Sequence, residues 1–446
     1  MLVMRTKVWA GITIASLMSM LVGAFGGAAA DVGARVSKAK LTVDSSGFST
    51  RPPPYEDEPY RTSFAAVLTN PTDQVVVGIN VVIKGTGSDG KPVKDSIGGN
   101  LGTEGYVSVL YPGESTVVVA DDLESVEPVA KMSVNATGTM GGSPEVYNVT
   151  PDPSTAGKSP SEMFVLSEPR YRTADTARGV VYGRLENTTG VTFSRVDVSC
   201  ALLRGGVIIG GATGPVIALP VSATVGFDAG GPPDASVEEI RCSADPSTVV
   251  GDVNQLDVGT TGLGTGDGGR PLVSAATTLK NPSTKIAATI EVTFQFLDAA
   301  GEFVGSSLSQ HSYLPPGASV YATAAQVPAA YFEAPPTSVN IRTNVDSFMR
   351  PKAFKKTFGG RANPGLEAAG AQYVDDQVVG EFRNSTSKSV SDVVVTCAVF
   401  DAEAIVAGAE DVVYDPVAPG DTMAFEALTI DGLNPSDVRC TAYSGH

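Results

Sequence analysis

The sequence predicts an all-β protein of four tandem antiparallel β-sandwiches arranged as two similar pairs. A strand that ends in an asparagine turn occurs four times, with the turns at Asn70, Asn187, Asn281 and Asn384. A second strand follows each turn, and the residues found 13 positions after the asparagines are Ile83, Cys200, Phe294 and Cys397. A fixed internal offset indicates a folding unit that has been copied. The 49 glycines and 30 prolines are typical of many short strands and turns.

The strand after each asparagine turn has the clearest pattern. In the third copy, apolar Ile290, Val292, Phe294 and Phe296 alternate with polar Glu291, Thr293 and Gln295. A period of two with one apolar face predicts a strand that is half-buried, with its polar face toward water. Tight turns are predicted at Asp298–Gly301 and at the Pro-Gly pairs that precede a later strand.

The copies divide the chain into five predicted segments. These are a signal peptide at 1–30, a first sandwich at 31–149, a linker plus second sandwich at 150–247, a third sandwich at 248–349, and a basic linker plus fourth sandwich at 350–446. Copies one and three have Asn-Pro at the turn and no cysteine, whereas copies two and four have Asn-Thr or Asn-Ser and a cysteine pair. A two-domain unit has therefore been duplicated.

The four cysteines are predicted to form two disulfides, each within one copy, which pair Cys200 with Cys242 and Cys397 with Cys440. Each bond would close a loop that stabilises the fold by about 4 kcal/mol in the chain-entropy model. Because Cys200 and Cys397 lie on the apolar faces of their strands, we expect the bonds to lie in the core between two sheets, as in immunoglobulin-like sandwiches. A four-cysteine metal site is the weaker alternative, because the spacing lacks C-x-x-C.

The N-terminus has the pattern of a signal peptide. Arg5 and Lys7 precede a mostly apolar stretch at 8–25, and small residues at 26–30 suit cleavage before Asp31. Retention of this stretch as a membrane anchor is the alternative, whereas no membrane span is expected after cleavage. The predicted location is therefore secreted or at the cell envelope. The formal charge of −17 argues against nucleic acid as a partner.

The residues at the third turn resemble those of a known family. Phe294-Gln-Phe-Leu-Asp298, then Gly301 and Pro316-Gly317, is similar to the signature of the FxLYD domain. Copy four matches partly with Cys397-Ala-Val-Phe-Asp401, copy two loses the aspartate, and copy one keeps only the first apolar position, Ile83. The resemblance implies small immunoglobulin-like sandwiches on exported bacterial proteins, mostly without an assigned activity. It brings no catalytic residue.

No cofactor or metal site is predicted. The turn asparagines are expected to shape the backbone, because asparagine tolerates left-handed conformation and bonds its own backbone. Asp298 and Asp401 are expected to begin hairpins, with a calcium role as the weaker alternative. The acidic run Glu56-Asp57-Glu58 and the glycine-rich loop around Asp267 are interpreted as solvated loops.

No catalytic residue is predicted either. His311 is one of two histidines and lies in a polar segment, so we expect it to be exposed and a serine triad to be absent. Two carboxylates in a cleft between copies remain an alternative basis for hydrolysis. The segment 350–361, with Lys352, Lys355 and Lys356, is interpreted as a solvated linker, and contact with an anionic envelope polymer is the alternative.

The sequence therefore favours an exported, non-catalytic chain with a structural, adhesive or partner-binding role at the cell envelope. An envelope hydrolase and a soluble protein that binds a small ligand or metal are the two alternatives. The partner is expected to be an envelope protein or polymer, and the sequence leaves the oligomeric state open.

Overall fold

A computed structural model describes residues 37–53, 58–141, 155, 157–174, 178–233, 236–250, 256–266, 271–358 and 366–444. Several predictions lie outside these residues: the signal peptide at 1–30, the acidic residues Glu56 and Asp57, and the loop residue Asp267. Contacts join the chain from Val36 to His446 in one compact unit, so the division into four domains stays a prediction. We use the word repeat for the four copies.

The first repeat contains seven strands. They are β1 (Lys38–Lys40), β2 (Thr42–Arg51), β3 (Tyr60–Thr69), β4 (Val76–Thr86), β5 (Gly102–Leu110), β6 (Ser115–Ser125) and β7 (Lys131–Met140). One sheet has the order β2-β3-β6, and the other has the order β1-β7-β4-β5.

The second repeat opens with a one-turn helix and has six strands. They are α1 (Pro160–Met163), β8 (Phe164–Thr173), β9 (Gly179–Asn187), β10 (Phe193–Arg204), β11 (Val207–Leu219), β12 (Thr224–Gly231) and β13 (Glu239–Val250). The strand order is β13-β10-β11-β12-β9-β8. Because β11 and β12 share only the pair Thr213 and Gly230, the sheet divides into two three-stranded halves.

The third repeat has six strands, a 3-10 turn at Ala329–Tyr331 and a C-terminal helix. They are β14 (Asp257–Thr265), β15 (Leu272–Lys280), β16 (Ile286–Leu297), β17 (Phe303–Leu314), β18 (Ser319–Pro328), β19 (Ser338–Met349) and α2 (Pro351–Phe358). The sheets are β14-β15-β18 and β17-β16-β19.

The fourth repeat has the strands β20 (Leu366–Val374), β21 (Gln377–Asn384), β22 (Val393–Asp401), β23 (Ala404–Val413), β24 (Thr422–Leu428) and β25 (Asp437–Ser444). Their order is β20-β21-β24-β23-β22-β25, with β23 and β24 joined by the single pair Glu410 and Leu428.

All four repeats share one topology, which confirms the predicted all-β class. If the six strands β2–β7 of the first repeat are lettered A to F, and the other repeats likewise, strands A, B and E form one antiparallel sheet (the ABE sheet). Strands C, D and F form the other (the CDF sheet). Four separate clusters of buried apolar side chains fill the repeats, one for each, and Leu68, Leu185, Leu279 and Phe382 lie in them. Because each sheet buries one face in its own repeat, the other face is free to meet a neighbour.

The prediction that strand C is half-buried is wrong in the third repeat. The polar side of β16 is also covered, since Glu291 is 5%, Thr293 6% and Gln295 7% exposed. The reason is that the second repeat packs against this side, where Gln295 donates to the backbone carbonyl of Gly226 at 3.3 Å. Polar residues alternate along a strand in the same way whether they face water or a polar interface, so the sequence pattern does not distinguish the two.

Both predicted disulfides are present, Cys200 to Cys242 and Cys397 to Cys440. Their predicted place between two sheets is wrong. Each pair lies directly opposite on neighbouring strands, C and F, of the same CDF sheet. The Cα atoms are 4.0 Å apart in each bond, the separation of a cross-strand pair. The alternation of apolar and polar residues shows which face of a strand a cysteine lies on. It does not show which strand is its neighbour in the sheet.

Two further predictions are wrong. The basic segment at 350–361 was expected to be a linker, but its residues from Pro351 to Phe358 form the helix α2. His311 was expected to be exposed, but it is 2% exposed because the fourth repeat covers that part of β17.

Candidate functional site

The four turn asparagines make the same hydrogen bonds and are fully buried. In the first repeat, Nδ2 of Asn70 donates to the carbonyls of Gln74 at 2.8 Å and Leu110 at 3.0 Å, while the backbone N–H of Thr72 donates to Oδ1 at 3.0 Å. The same three bonds recur at Asn187, Asn281 and Asn384. Each amide ties its turn to the end of strand D or to the segment that follows it, and both its nitrogen and its oxygen are engaged in these bonds.

The junction within the first pair is built on apolar contact between sheets. The outer face of the first ABE sheet packs on the outer face of the second CDF sheet, through Ala65 and Val117 against Ala201, Leu203 and Ile208. The second pair repeats this junction with Ala276 and Tyr321 against Ala398, Phe400 and Ile405. The duplication predicted from the cysteines therefore includes the contact between the two members of a pair.

Polar contacts across the two junctions correspond as well. The hydroxyl of Ser63 donates to the carbonyl of Gly211 and accepts from its N–H, both at 3.0 Å. Ser274 makes the same two bonds with Gly408, both at 2.8 Å. Because one buried serine bonds both the N–H and the carbonyl of a strand-D glycine, each bond pair fixes the register between the two sheets.

Glycine makes this approach possible. A Cβ at Gly47 would lie 1.8 Å from the carbonyl oxygen of Ile208, and a Cβ at Gly262 would lie 1.8 Å from that of Ile405. The aligned segments Leu41–Phe48 and Leu256–Leu263 carry these glycines at the same position. The sequence similarity of copies one and three therefore already indicated a place where the backbones of two repeats approach closely. No larger residue fits where the strand of one repeat meets the backbone of the next.

The junction between the second and third repeats is polar instead. Arg172 donates to the carbonyl of Phe332 at 2.5 Å, and Arg342 donates to that of Ala218 at 3.1 Å. The carboxylate of Asp228 accepts from the N–H of Ser306 at 3.0 Å and from its hydroxyl. Burial raises the pKa of Asp228 in spite of these bonds. The two pairs therefore meet through bonds to backbone and side-chain oxygen rather than through an apolar core.

A cleft of about 350 Å³ lies at this polar junction. Asp298 is one of its lining residues. Two ion pairs cross the cleft, Arg170 with Glu333 at 3.0 Å and Arg184 with Glu302, and Arg184 also pairs with Glu168 of its own repeat at 3.5 Å. Such paired carboxylates lower the suitability of the cleft for acid–base work, because a glycosidase needs one protonated acid and one free carboxylate. A cleft lined by carboxylates therefore lies between two copies, where the alternative prediction expected one, but three of its four acids form ion pairs.

A second cleft, of about 330 Å³, lies between the first and second repeats. Its walls include apolar Val107, Phe164 and Leu166, and Asp245 lies among its lining residues. Oδ2 of Asp245 accepts from the N–H of Ser108 at 3.0 Å. Desolvation raises the pKa of Asp245 to about 7, against the opposing effect of the bonds from Ser108. Asp245 thus places a neutral acid inside a junction at mildly acidic pH.

Asp298, which lines the cleft between the second and third repeats, shapes the turn in which it lies. Oδ1 of Asp298 accepts from the N–H groups of Ala300 at 2.8 Å and Glu302 at 2.9 Å, which closes the predicted hairpin. Within the described ranges no group of three or more His, Cys, Asp and Glu residues is placed to hold a metal ion. Neither α1 nor α2 is long and apolar enough to cross a bilayer, and the described residues contain no other such helix.

Comparisons with known proteins add little to this geometry. No family model matches the chain, and no curated protein matches it. A solved structure described as "Biofilm associated protein - BSP domain" is similar at 11% sequence identity with a TM-score of 0.12, over 90% of this chain and 94% of that one. A score this low bears on neither the fold nor the function of the chain.

Proposed function

We propose that this chain is an exported, non-catalytic β-sandwich protein that holds or binds a protein or polymer at the cell envelope. The proposal depends mainly on one observation: the junction between the two members of a pair is the same in both pairs. Ser63 bonds Gly211 in the first pair, and Ser274 bonds Gly408 in the second, so neighbouring sheets are fixed in the same way. Repeats whose faces are joined by specific bonds keep a fixed spacing, which suits a spacer or a presenting surface.

Export is supported by the oxidised state of the chain. Both cysteine pairs are bonded, and the described residues contain no free cysteine. Disulfides that persist are typical of compartments outside the reducing cytosol. The resemblance to FxLYD domains and the apolar N-terminal stretch support the same location.

The outer face of the fourth ABE sheet favours a partner other than a further copy. Glu381 and Glu426 are exposed there, at the positions that Val67 and Val119 occupy in the first repeat, where both valines pack at the junction. Two carboxylates in place of two valines oppose the same apolar packing. This face is therefore available to a partner of different chemistry.

A pull-down from the envelope of the producing cell tests the proposal. The mature chain, with all four cysteines oxidised, is expected to retain a specific protein or polymer. The double variant Glu381→Lys/Glu426→Lys tests whether this face contributes, and Asp401→Lys/Glu403→Lys, at exposed carboxylates of the turn between β22 and β23, is the matched control. Capture of nothing at low or high salt contradicts the proposal.

The cleft between the second and third repeats favours one alternative function, an envelope hydrolase. Glu302 and Glu333 face it from the third repeat. If they were catalytic, purified chain would turn over an envelope glycan, and Glu302→Gln or Glu333→Gln would abolish the turnover. Glu239→Gln, which removes an exposed ion pair with Arg241, is the control. Turnover with this pattern would replace the non-catalytic proposal.

A further inference from the structure

The helix α2 is fixed on the third repeat by one aromatic side chain. Phe354 is 3% exposed and packs in a cluster with Ile286, Ala288 and Tyr313. Its ring meets the ring of Tyr313 edge-on, with the centroids 5.3 Å apart. The helix is therefore held against the outer face of the third CDF sheet, at β16 and β17, rather than solvated on all sides.

The same helix presents cations to solvent. Lys352, Lys355 and Lys356 are exposed, and their spacing places them on neighbouring positions of the helix surface. The pairing of Ile286 with Met349 places the adjacent Lys285 and Arg350, both exposed, at the same end of the CDF sheet. We call these five residues the basic patch.

Among the residues that the structure describes, none of the five side chains of the basic patch forms an ion pair, whereas Arg170, Arg184 and Arg195 at the junction between the second and third repeats each do. The chain as a whole has a formal charge of −17. A concentration of unpaired cations attracts anions locally even on a protein whose net charge is negative.

We propose that the basic patch binds a linear anionic polymer of the cell envelope. Lys352 and Lys356 are about 6 Å apart along the helix axis, so successive charges of one polymer chain can meet successive lysines. Lysine ammonium groups act as point charges without a fixed geometry, which suits a polymer with many equivalent anions. Arg350 adds a planar group that pairs with a phosphate or carboxylate through two bonds.

A membrane surface is the competing partner, and the helix residues from Lys352 to Lys356 are poorly suited to it. An interfacial helix inserts apolar side chains beside its cations. In α2 the aromatic side chain of Phe354 is buried in the protein's own cluster, while Ala353, Lys355 and Lys356 are exposed. The exposed surface formed by these residues carries charge without a large apolar side chain, so it favours a polymer in solution.

The inference rests on the proposed envelope role only for the identity of the polymer, so its test uses purified components. Binding of the mature chain to long-chain polyphosphate and to poly-glutamate is measured by calorimetry at about 0.02 M and about 0.3 M salt, since exposed charges are screened as salt rises. We expect binding at low salt that weakens at least tenfold at high salt. The stronger of the two probes identifies phosphate or carboxylate as the preferred anion.

The triple variant Lys352→Gln/Lys355→Gln/Lys356→Gln is expected to lose at least tenfold in affinity. Lys38→Gln/Lys40→Gln/Lys84→Gln removes three exposed lysines of the first repeat and is expected to bind like the parent. Equal losses in both variants, no loss in the first, or binding to anionic phospholipid vesicles in place of both polymers would overturn the inference. If the purified chain binds neither polymer but captures a partner from the envelope, only this inference is overturned. If it binds a polymer but captures nothing from the envelope, only the proposed envelope role is overturned.

Discussion

Arg195 of the second repeat donates its Nη1–H to Oε1 of Glu291 of the third at 2.6 Å, and this ion pair joins the two pairs of repeats. Nε of Arg195 donates to Asp197 at 2.8 Å, and Nδ2 of Asn344 donates to Glu291 at 3.2 Å. Burial works to lower the pKa of Arg195, but the carboxylates of Asp197 and Glu291 outweigh it and raise the pKa. One guanidinium thus compensates several carboxylates at this junction.

Replacing Arg195 with methionine is expected to lower the free energy of unfolding by about 2–4 kcal/mol, because Glu291 would be left as a buried charge without a cation. The Glu291 side chain is 7% exposed. Arg241→Met is the matched control. Its ion pair with Glu239 is about half exposed, 52% and 47%, and such pairs contribute less than about 1 kcal/mol. Urea denaturation at pH 7 gives both values, and equal losses would contradict a structural role for Arg195.

The serine–glycine bonds at the two apolar junctions make a second prediction. Ser63→Ala leaves both backbone groups of Gly211 without a partner in a buried place, which is expected to cost about 1–3 kcal/mol. Ser274→Ala removes the partner of the Gly408 N–H, while the Gly408 carbonyl still accepts from Oγ1 of Thr429 at 2.8 Å, so the loss is expected at the lower end of the same range. Ser133→Ala, at an exposed site of the first repeat, is the control. Urea denaturation is the measurement, and a loss at only one of the two serines would contradict the equivalence of the junctions.

The comparison of sequence and structure shows which contacts leave a local signature. The Asn70 turn and the strand through Phe294 were predictable, because turn chemistry and side-chain alternation are properties of a few neighbouring residues. The junctions were not, because a polar residue such as Glu291 has the same pattern whether it faces water or another repeat. The clearest missed signal was the pair Gly47 and Gly262, which the similarity of two copies had already placed at equivalent positions.

A third prediction concerns the pH dependence of the first junction. Desolvation, the larger cause, raises the pKa of Asp245 from 3.8 to about 7. The neighbouring Asp197 and Glu114 add to the rise, and Ser108 opposes it. An acid whose pKa is raised on folding favours the folded state while it is protonated. The contribution of Asp245 to the stability of the fold is therefore complete below about pH 4 and is lost as the pH rises through about 7.

Asp245→Asn removes this titration and keeps a side chain of the same shape. We expect the variant to be more stable than the parent by about 2–4 kcal/mol above pH 8 and to match it near pH 4. Thermal unfolding followed from pH 4 to pH 8 measures the difference. Asp73→Asn, at an exposed carboxylate, is expected to leave the pH profile unchanged. A profile that is parallel to the parent's would show that Asp245 does not titrate on folding.

At the equivalent junction of the second pair, a buried histidine gives stability the opposite dependence on pH. Tyr443 lies three residues after its cysteine, as Asp245 does, and its ring is 5.0 Å from the ring of His311. Neither ring nitrogen of His311 has a hydrogen-bond partner among the described residues. Desolvation lowers the pKa of His311 from 6.5 to about 4. Its contribution to stability is therefore present above about pH 6.5 and is lost as the pH falls toward 4.

Between pH 6.5 and pH 4 this effect amounts to about 3 kcal/mol. His311→Leu is expected to abolish it, whereas Tyr443→Phe, which keeps the ring and does not titrate in this range, is expected to retain it. The difference between each variant and the parent is measured by thermal unfolding across the same pH series. Because acid strengthens the junction of Asp245 and weakens that of His311, the double variant Asp245→Asn/His311→Leu should lose both opposing slopes. If His311→Leu follows the parent at every pH, the histidine is not the group that loosens the second pair in acid.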